Sequence, residues 1–354
     1  MAIDAAPGKG SNIASVFRRF QIKENSMRTL RTALAATAVL LASAIAAQAQ
    51  TKVAIGKVLS GNGFHIPTYV AMDKGFYKEE GLDARFVQLS GSALVKAALT
   101  GAVDFIPIPS GGSQAALSGA EIRYVVGQSL KSQWLIAVRP EIKKPEDLKG
   151  KIIGYGRAGA ADYDEGAAVL SRFFKMDVAK DYKVISFQGE TERIAALVNG
   201  DIQAALISVP HAPKALNAGM KILVRTGDYI PRLGGTFLTH KDFIKEKRDV
   251  VKRFTRGMIK ATDYIKANKK GTMDVVQKYF EIQDAKIVEG IYNLVFDKYS
   301  PEMPPDLIKI LFESRTTPEL GWPQGKPLPE LNQFVARSIV NEVLKEMGRK
   351  PGGK

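Results

Sequence analysis

Downstream of residue 50, short apolar runs alternate with segments that read as helices. Residues 52–58 (KVAIGKV) form a strand pattern that runs into the polar loop Ser60-Gly61-Asn62-Gly63-Phe64-His65. Pro67 then suits the first turn of a helix, which passes Tyr69 and Met72 and stops near Gly75. A strand follows over 84–89, a helix that Ser92 can cap and that ends at Gly101, and a strand over 103–108. The rhythm restarts after Pro140: a strand opening at 151–154, a Gly-rich loop, a helix over 162–175, a strand over 183–187, a helix over 191–198 and a strand over 202–207. Strand and helix in regular alternation predict an α/β fold of mostly parallel sheets flanked by helices.

The two stretches echo one another. Ala97-Ala98-Leu99-Thr100-Gly101 leads into Val103-Asp104-Phe105, and Ala195-Ala196-Leu197-Val198-Asn199-Gly200 leads into Ile202-Gln203-Ala204. Each predicted helix ends at Gly and feeds a strand whose far end is polar, Ser110-Gly111-Gly112-Ser113 in one case and Ser208-Val209-Pro210-His211 in the other. Two similar lobes, each with its own sheet, fit this repetition better than one large sheet. From Asp242 the pattern is mainly helical, with a Pro/Gly-rich loop over 317–329, a last helix to about Met347 and a tail, 349–354, expected to be disordered.

The N-terminus has a different character. Arg28 and Arg31 precede an apolar run over 33–47 that closes on Ala47-Gln48-Ala49, the order of a secretory signal peptide with cleavage after Ala49. That run is shorter than the ~20 residues of a spanning helix. Residues 1–49 are therefore read as an address, with Met27 as the expected true start and an exported, soluble mature chain.

Composition narrows the chemistry. The 354 residues contain no Cys, which removes thiolate nucleophiles, Cys-ligated zinc and iron–sulfur clusters. The formal charge of +15 includes six Lys/Arg and two acids in residues 1–49; the remainder has 45 basic against 34 acidic residues, a net +11. These cations are scattered among acids, as in KDFIKEKRD at 241–249, which reads as a solvated face and not as a nucleic-acid stripe. The three His are not spaced as metal ligands, and no metal or cofactor is expected.

In open α/β sheets, ligands sit beyond the carboxyl ends of the strands, close to helix N-termini. Four loops qualify: 60–65, 109–113, 155–163 and 208–211. They supply the candidate site residues Asn62, Phe64, His65, Ser110, Gly111, Arg157, Ala158, Asp162, Ser208 and His211. N–H groups at helix starts favour anions, and Arg157 adds a guanidinium beside one such start. Arg157 is expected to pair with an anionic group, N–H groups near Gly111 and Ala158 to donate to it, and His65 and His211 to contact it from opposite lobes. Asp162 could instead serve only to cap its helix. Core packing is the reading for Trp134, which lies in an apolar strand-like run.

Several strings resemble the substrate-binding proteins of bacterial ABC importers, in the branch for sulfonates, taurine, nitrate and thiamine pyrimidines. They are DKGFYKEEGL at 73–82, the AAL…G…D of 97–104, DLKGKIIG at 147–154 and RIAAL…G at 193–200, matching over roughly residues 51–225. The resemblance implies two lobes, 50–138 plus 228–348 and 139–227, joined by crossings near 138–140 and near Asp228. It also implies hinge closure on a small molecule, without chemistry, by a monomer that delivers it to a membrane permease. Lacking a lipidated Cys, such a protein would diffuse in a periplasm.

Two other readings compete. Gly154-Tyr155-Gly156-Arg157-Ala158-Gly159 is a literal GxGxxG after a strand and before a helix, so a NAD-binding oxidoreductase is the enzyme alternative, although Asp177 and Glu190 are poorly placed for the ribose. A pyrimidine-precursor binder of the same fold is the other. The pyrimidine synthase that these binders resemble uses a Cys-rich motif that has no counterpart here.

Overall fold

The computed structural model describes residues 50–59 and 62–351. The expected signal peptide, the start at Met27 and cleavage after Ala49 lie outside the described residues, as do Ser60, Gly61 and the tail end 352–354. In chain order the first elements are β1 (Thr51–Val58), α1 (Ile66–Asp73), α2 (Phe76–Glu79), β2 (Leu82–Leu89), α3 (Gly91–Leu99), α4 (Pro109–Leu117) and β3 (Ile122–Ser129). Next come β4 (Trp134–Val138), β5 (Ile152–Tyr155), α5 (Ala161–Phe174), β6 (Lys183–Ser186), α6 (Glu190–Asn199), β7 (Ala204–Ser208), α7 (Ala212–Asn217), β8 (Lys221–Arg225) and β9 (Gly235–His240). The rest is helical: α8 (Lys241–Glu246), α9 (Arg248–Ala267), α10 (Lys269–Phe280), α11 (Ala285–Val295), α12 (Pro305–Glu313) and α13 (Arg337–Glu346).

The strands form two sheets of the same design. In the second the order is β6-β5-β7-β4-β8, with β5 parallel to both β6 and β7 and β4 antiparallel to β7 and β8. In the first, β1 pairs in parallel with β2, and β3 pairs antiparallel with β9. The expected strand over 103–108 contracts to two bridges, Phe105 to Ile55 and Ile106 to Leu238, which join those pairs into one layer. Asp104 fixes this junction by accepting the Ala54 N–H at 2.7 Å. The repetition read from the sequence is therefore a repetition of topology. In the second half the helix end is unambiguous: α6 stops at Gly200 because its φ of +92° lies in the left-handed region that favours glycine.

One boundary moves. Trp134–Val138, expected to close the first lobe, is a central strand of the second sheet, in register between β7 and β8. All five residues are buried, so the strand shows no alternation from which its sheet could be inferred. The first crossing between sheets thus lies at 130–133, ahead of the expected 138–140, and the second lies between β8 and β9. The two crossings run side by side: Ser132 Oγ and Thr226 Oγ1 share a hydrogen bond of 2.9 Å, and the Gly234 N–H donates to Ser129 O at 2.9 Å. Arg349, in the expected disordered tail, donates its N–H to Leu344 O at 2.8 Å and pairs with Asp263.

The C-terminal helices return to the first sheet. Phe254 of α9 stacks on Phe105 at 3.8 Å and on Tyr77 at 5.3 Å, with Phe237 edge-on at 5.0 Å. The outer side of α9 places Arg256 and Lys260 against Glu80, and Lys252 against Glu346, so cations on this helix meet acids. Gly127 in β3 marks where the returning chain comes closest: its N–H donates to Pro301 O at 2.8 Å, and a Cβ there would lie 2.1 Å from Glu302 O. Gly127→Ala must push that segment off the strand, with an expected loss of about 1–3 kcal/mol. Urea denaturation reads it, and an unchanged midpoint contradicts the close approach.

Candidate functional site

Between the two sheets lies a cleft of about 720 Å³ lined from both sides and from the crossings. The first turns of four helices reach it: Ser90–Ser92 of α3, Pro109–Gly111 of α4, Ala160–Asp162 of α5 and Gly189–Glu190 of α6. None of the four is capped by the side chain of its N-cap residue. First-turn N–H groups have no acceptor within their own helix, and the helix dipole adds partial positive charge there. Two helices from each sheet thus direct donors into one space.

The first turns of α5 carry three acids, Asp162, Asp164 and Glu165, and each meets an arginine from a different element. Asp162 is buried, accepts the Gly156 N–H at 2.8 Å and pairs with Arg193 of α6 at 2.7 Å. Asp164 pairs at 2.5 Å with Arg315, which follows α12 and is almost fully buried. Glu165 pairs at 3.4 Å with Arg232 of the second crossing and also accepts from Thr226. Arg232 in turn donates to Ser110 Oγ at 2.6 Å, so one guanidinium ties the start of α4 to α5 across the cleft. Burial pushes the carboxyls of Asp164 and Glu165 up and the Arg315 guanidinium down, while the opposite charges partly offset each shift. Glu190, the acid that opens α6, is also pushed up by burial; the charges of His211 and Arg193 and the Ser208 N–H, which it accepts at 2.5 Å, oppose that shift.

Arg157 and Lys96, by contrast, line the cleft without a carboxylate partner among the described residues. The Gln188 amide, oriented with its oxygen toward Arg157, accepts from Nε at 3.2 Å and from Nη2 at 2.6 Å. This leaves the Arg157 charge uncompensated at the rim, where it can meet an anion.

Of the residues singled out from the sequence, Asn62, Phe64, Ser110, Gly111, Arg157, Ala158 and Asp162 line the cleft. Asn62 Oδ1 accepts the Phe64 N–H at 3.1 Å, and the Phe64 ring stands edge-on to Trp134 at 5.6 Å. Trp134 is buried as expected of a core residue, and it also lines the cleft. Asp162 is occupied by Gly156 and Arg193, a structural role beyond capping.

His65, Ser208 and His211 do not line the cleft. Ser208 is buried, and both its N–H and its hydroxyl donate to Glu190. His211 is edge-on to Phe280 at 5.7 Å, while His65 lies 5.8 Å from Tyr69, which itself contacts Phe280 at 5.7 Å. The two imidazoles therefore sit on one aromatic cluster and do not face each other across a ligand. Both occupy the last position of a 3₁₀ turn that follows a strand, which carries them past the cleft. Lys96, Gln188, Arg193 and Arg315 line the cleft and were missed by the sequence reading, as was Arg232, which joins Ser110 to Glu165. Arg193 stands in the RIAAL string, and the others carry no local pattern.

Packing explains the first two glycines of the loop, and a φ of +84° explains Gly159. A Cβ on Gly156 would lie 2.6 Å from the Asp162 carboxylate, and one on Gly154 would lie 2.6 Å from Ile202 and 2.9 Å from Arg193. Asp162 puts its negative charge on the loop N–H that a pyrophosphate would need.

The model of the NMT1/THI5-like family matches residues 62–271. The chain belongs to that family. Among curated relatives, the protein YtlA of Bacillus subtilis is 26% identical over 317 residues, covering 84% of this chain and 91% of that one. The 4-amino-5-hydroxymethyl-2-methylpyrimidine phosphate synthase of Candida albicans is 26% identical over 313 residues, covering 75% and 87%. Among solved structures, the nitrate-binding protein NrtA of Synechocystis superposes with a TM-score of 0.69 at 11% identity, covering 86% of this chain and 91% of that one. The alkanesulfonate-binding protein SsuA of Xanthomonas axonopodis, bound to MOPS, gives 0.66 at 17% identity, covering 80% and 98%. The fold of the NMT1/THI5-like chain is thus that of the periplasmic binding proteins, and the family resemblance read from the sequence holds. No helix among its described residues is long and apolar enough to cross a membrane.

His65 generates a prediction. Its Nε2 accepts the Val58 N–H at 3.3 Å, its Nδ1 has no partner, and burial, helped by the charge of Lys57, pulls its pKa down to about 3. The unfolded chain takes up this proton near pH 6.5 and the folded chain does not, so stability falls with pH from about 6.5 down to about 3. Comparing pH 7 with pH 5, His65 accounts for about 2 kcal/mol of lost stability. Denaturant titrations at both pH values should show His65→Gln losing less than the parent by about that amount, whereas equal losses would place the imidazole in solvent.

Proposed function

We propose that this chain is the solute-binding component of an ABC importer, an exported periplasmic monomer that captures a small anion between its lobes and presents it to a permease without transforming it. The observation that carries this reading is the convergence of four uncapped helix N-termini, two from each sheet, with the uncompensated Arg157 at one cleft. A ligand touching both sides is bound more tightly when the sides approach, and so shifts the population toward the closed form. The paired crossings at 130–133 and 226–234 are the segments about which that movement would turn. Sulfonate, nitrate and carboxylate headgroups all suit the donors. The likeness to the Candida albicans synthase keeps a planar pyrimidine precursor as the second reading.

Thermal unfolding of the ligand-stripped chain tests this against taurine, alkyl and aryl sulfonates, nitrate, aromatic carboxylates, a formylaminopyrimidine and NAD. A ligand at a hundred times its Kd adds about 2.7 kcal/mol of stability, a shift of several degrees. The expected result is a shift with an anion class; a shift with NAD alone would make the glycine loop a cofactor site and sink the reading. For whichever anion binds, Arg157→Ala should weaken binding by about 1.5–3 kcal/mol by calorimetry, the range of a hydrogen bond to a charged group. Unchanged affinity removes Arg157 from the site.

A further inference from the structure

We infer that the ligand is an amphipathic anion, a single charged head on a bulky and largely flat apolar body, and not a bare oxyanion or a short zwitterion such as taurine. This rests on the anion-binding reading above and adds what the rest of the cleft requires. The donors and Arg157 account for only part of the lining, and most of the remainder is apolar. The volume of about 720 Å³ falls in the range of about 300–1,000 Å³ that encloses molecules of drug size. Nitrate would leave nearly all of that space to water against apolar walls.

The apolar part has a fixed aromatic corner. Phe64 and Trp134 meet edge-on at 5.6 Å with their planes at 66°, and both are almost fully buried. Phe64 is backed by main chain, because Gly234 and Gly235 present no side chain to it: a Cβ on either would come within 3.0 or 3.2 Å of the ring. The Trp134 backbone is held by its place in β4 and by its main-chain N–H, which donates to Ser132 Oγ at 3.2 Å. Ile108 and Val95 from the first lobe and Phe187 from the second continue the apolar surface toward the helix N-termini. A rigid corner of this kind loses little side-chain freedom on binding and favours a flat partner.

Isothermal titration with three probes separates the terms: methanesulfonate, naphthalene-2-sulfonate and the neutral 2-naphthalenemethanol. Naphthalene-2-sulfonate is expected to bind roughly 100-fold more tightly than methanesulfonate, from the apolar area it buries, and at least tenfold more tightly than the neutral probe. Phe64→Ala should collapse the ratio between the two sulfonates, and Phe64→Leu, which keeps an apolar side chain in place, should restore part of it. Equal affinity for both sulfonates overturns the amphipathic ligand and leaves the anion reading standing. Equal affinity for naphthalene-2-sulfonate and its neutral counterpart overturns the anion reading itself. Silence from all three overturns both.

Discussion

The structure depends on the first turns of α5, where Asp162, Asp164 and Glu165 each meet an arginine from another part of the chain. Arg193 comes from the same sheet, Arg232 from a crossing between sheets, and Arg315 from the returning C-terminal segment. A helix start is the one place where three acids are favoured by the helix dipole, and their burial requires partners close at hand. The arrangement pins α5 to its own sheet, to the hinge and to the opposite lobe at once. It also neutralises three acids beside the cleft, where Arg157 and Lys96 are cations without a carboxylate partner among the described residues. Removing one partner of such a buried pair costs about 3–5 kcal/mol, so these arginines hold the geometry and are unsuitable probes of binding.

The proposed hinge movement would act on these pairs. Arg232 lies on the second crossing and contacts Ser110 and Glu165, one on each side of the cleft. Arg315 reaches Asp164 from the first lobe. Rotation of one sheet against the other would change these contacts together with the apolar packing that runs from one sheet to the other, as between Phe64 and Trp134. In the proposed cycle the anion replaces contacts that the open form makes with water, and the arginine pairs set how far the lobes part.

Much of this fold is legible in the sequence because the βα rhythm is strong: the glycines after residues 97–100 and 195–199, Pro67 and the polar ends of the strands all mark real boundaries. The first sheet's central segment is the exception, since Phe105 and Ile106 make bridges where a strand over 103–108 is expected. Trp134–Val138 is another, because a strand buried on both faces carries no alternation to say which sheet it joins. At the site, loops are legible and directions are not. Ser110 comes to the cleft because it lies in the first turn of α4, and the glycine loop and Arg157 because they form the turn that leads into α5. His65 and His211 sit one turn further on, and that turn aims them at Tyr69 and Phe280. Arg232 and Arg315 are invisible beforehand because nothing local distinguishes a loop arginine that will be buried from one that will stay in water.

The most direct test of the account is a crystal structure of the chain with the tightest-binding sulfonate of a methyl, hexyl and naphthyl series. The account predicts sulfonate oxygens within hydrogen-bonding distance of Arg157 and of first-turn N–H groups from at least one helix of each lobe, with the organic group against Phe64 and Trp134. A sulfonate held outside the cleft, or with its charged end turned toward that aromatic corner, contradicts it.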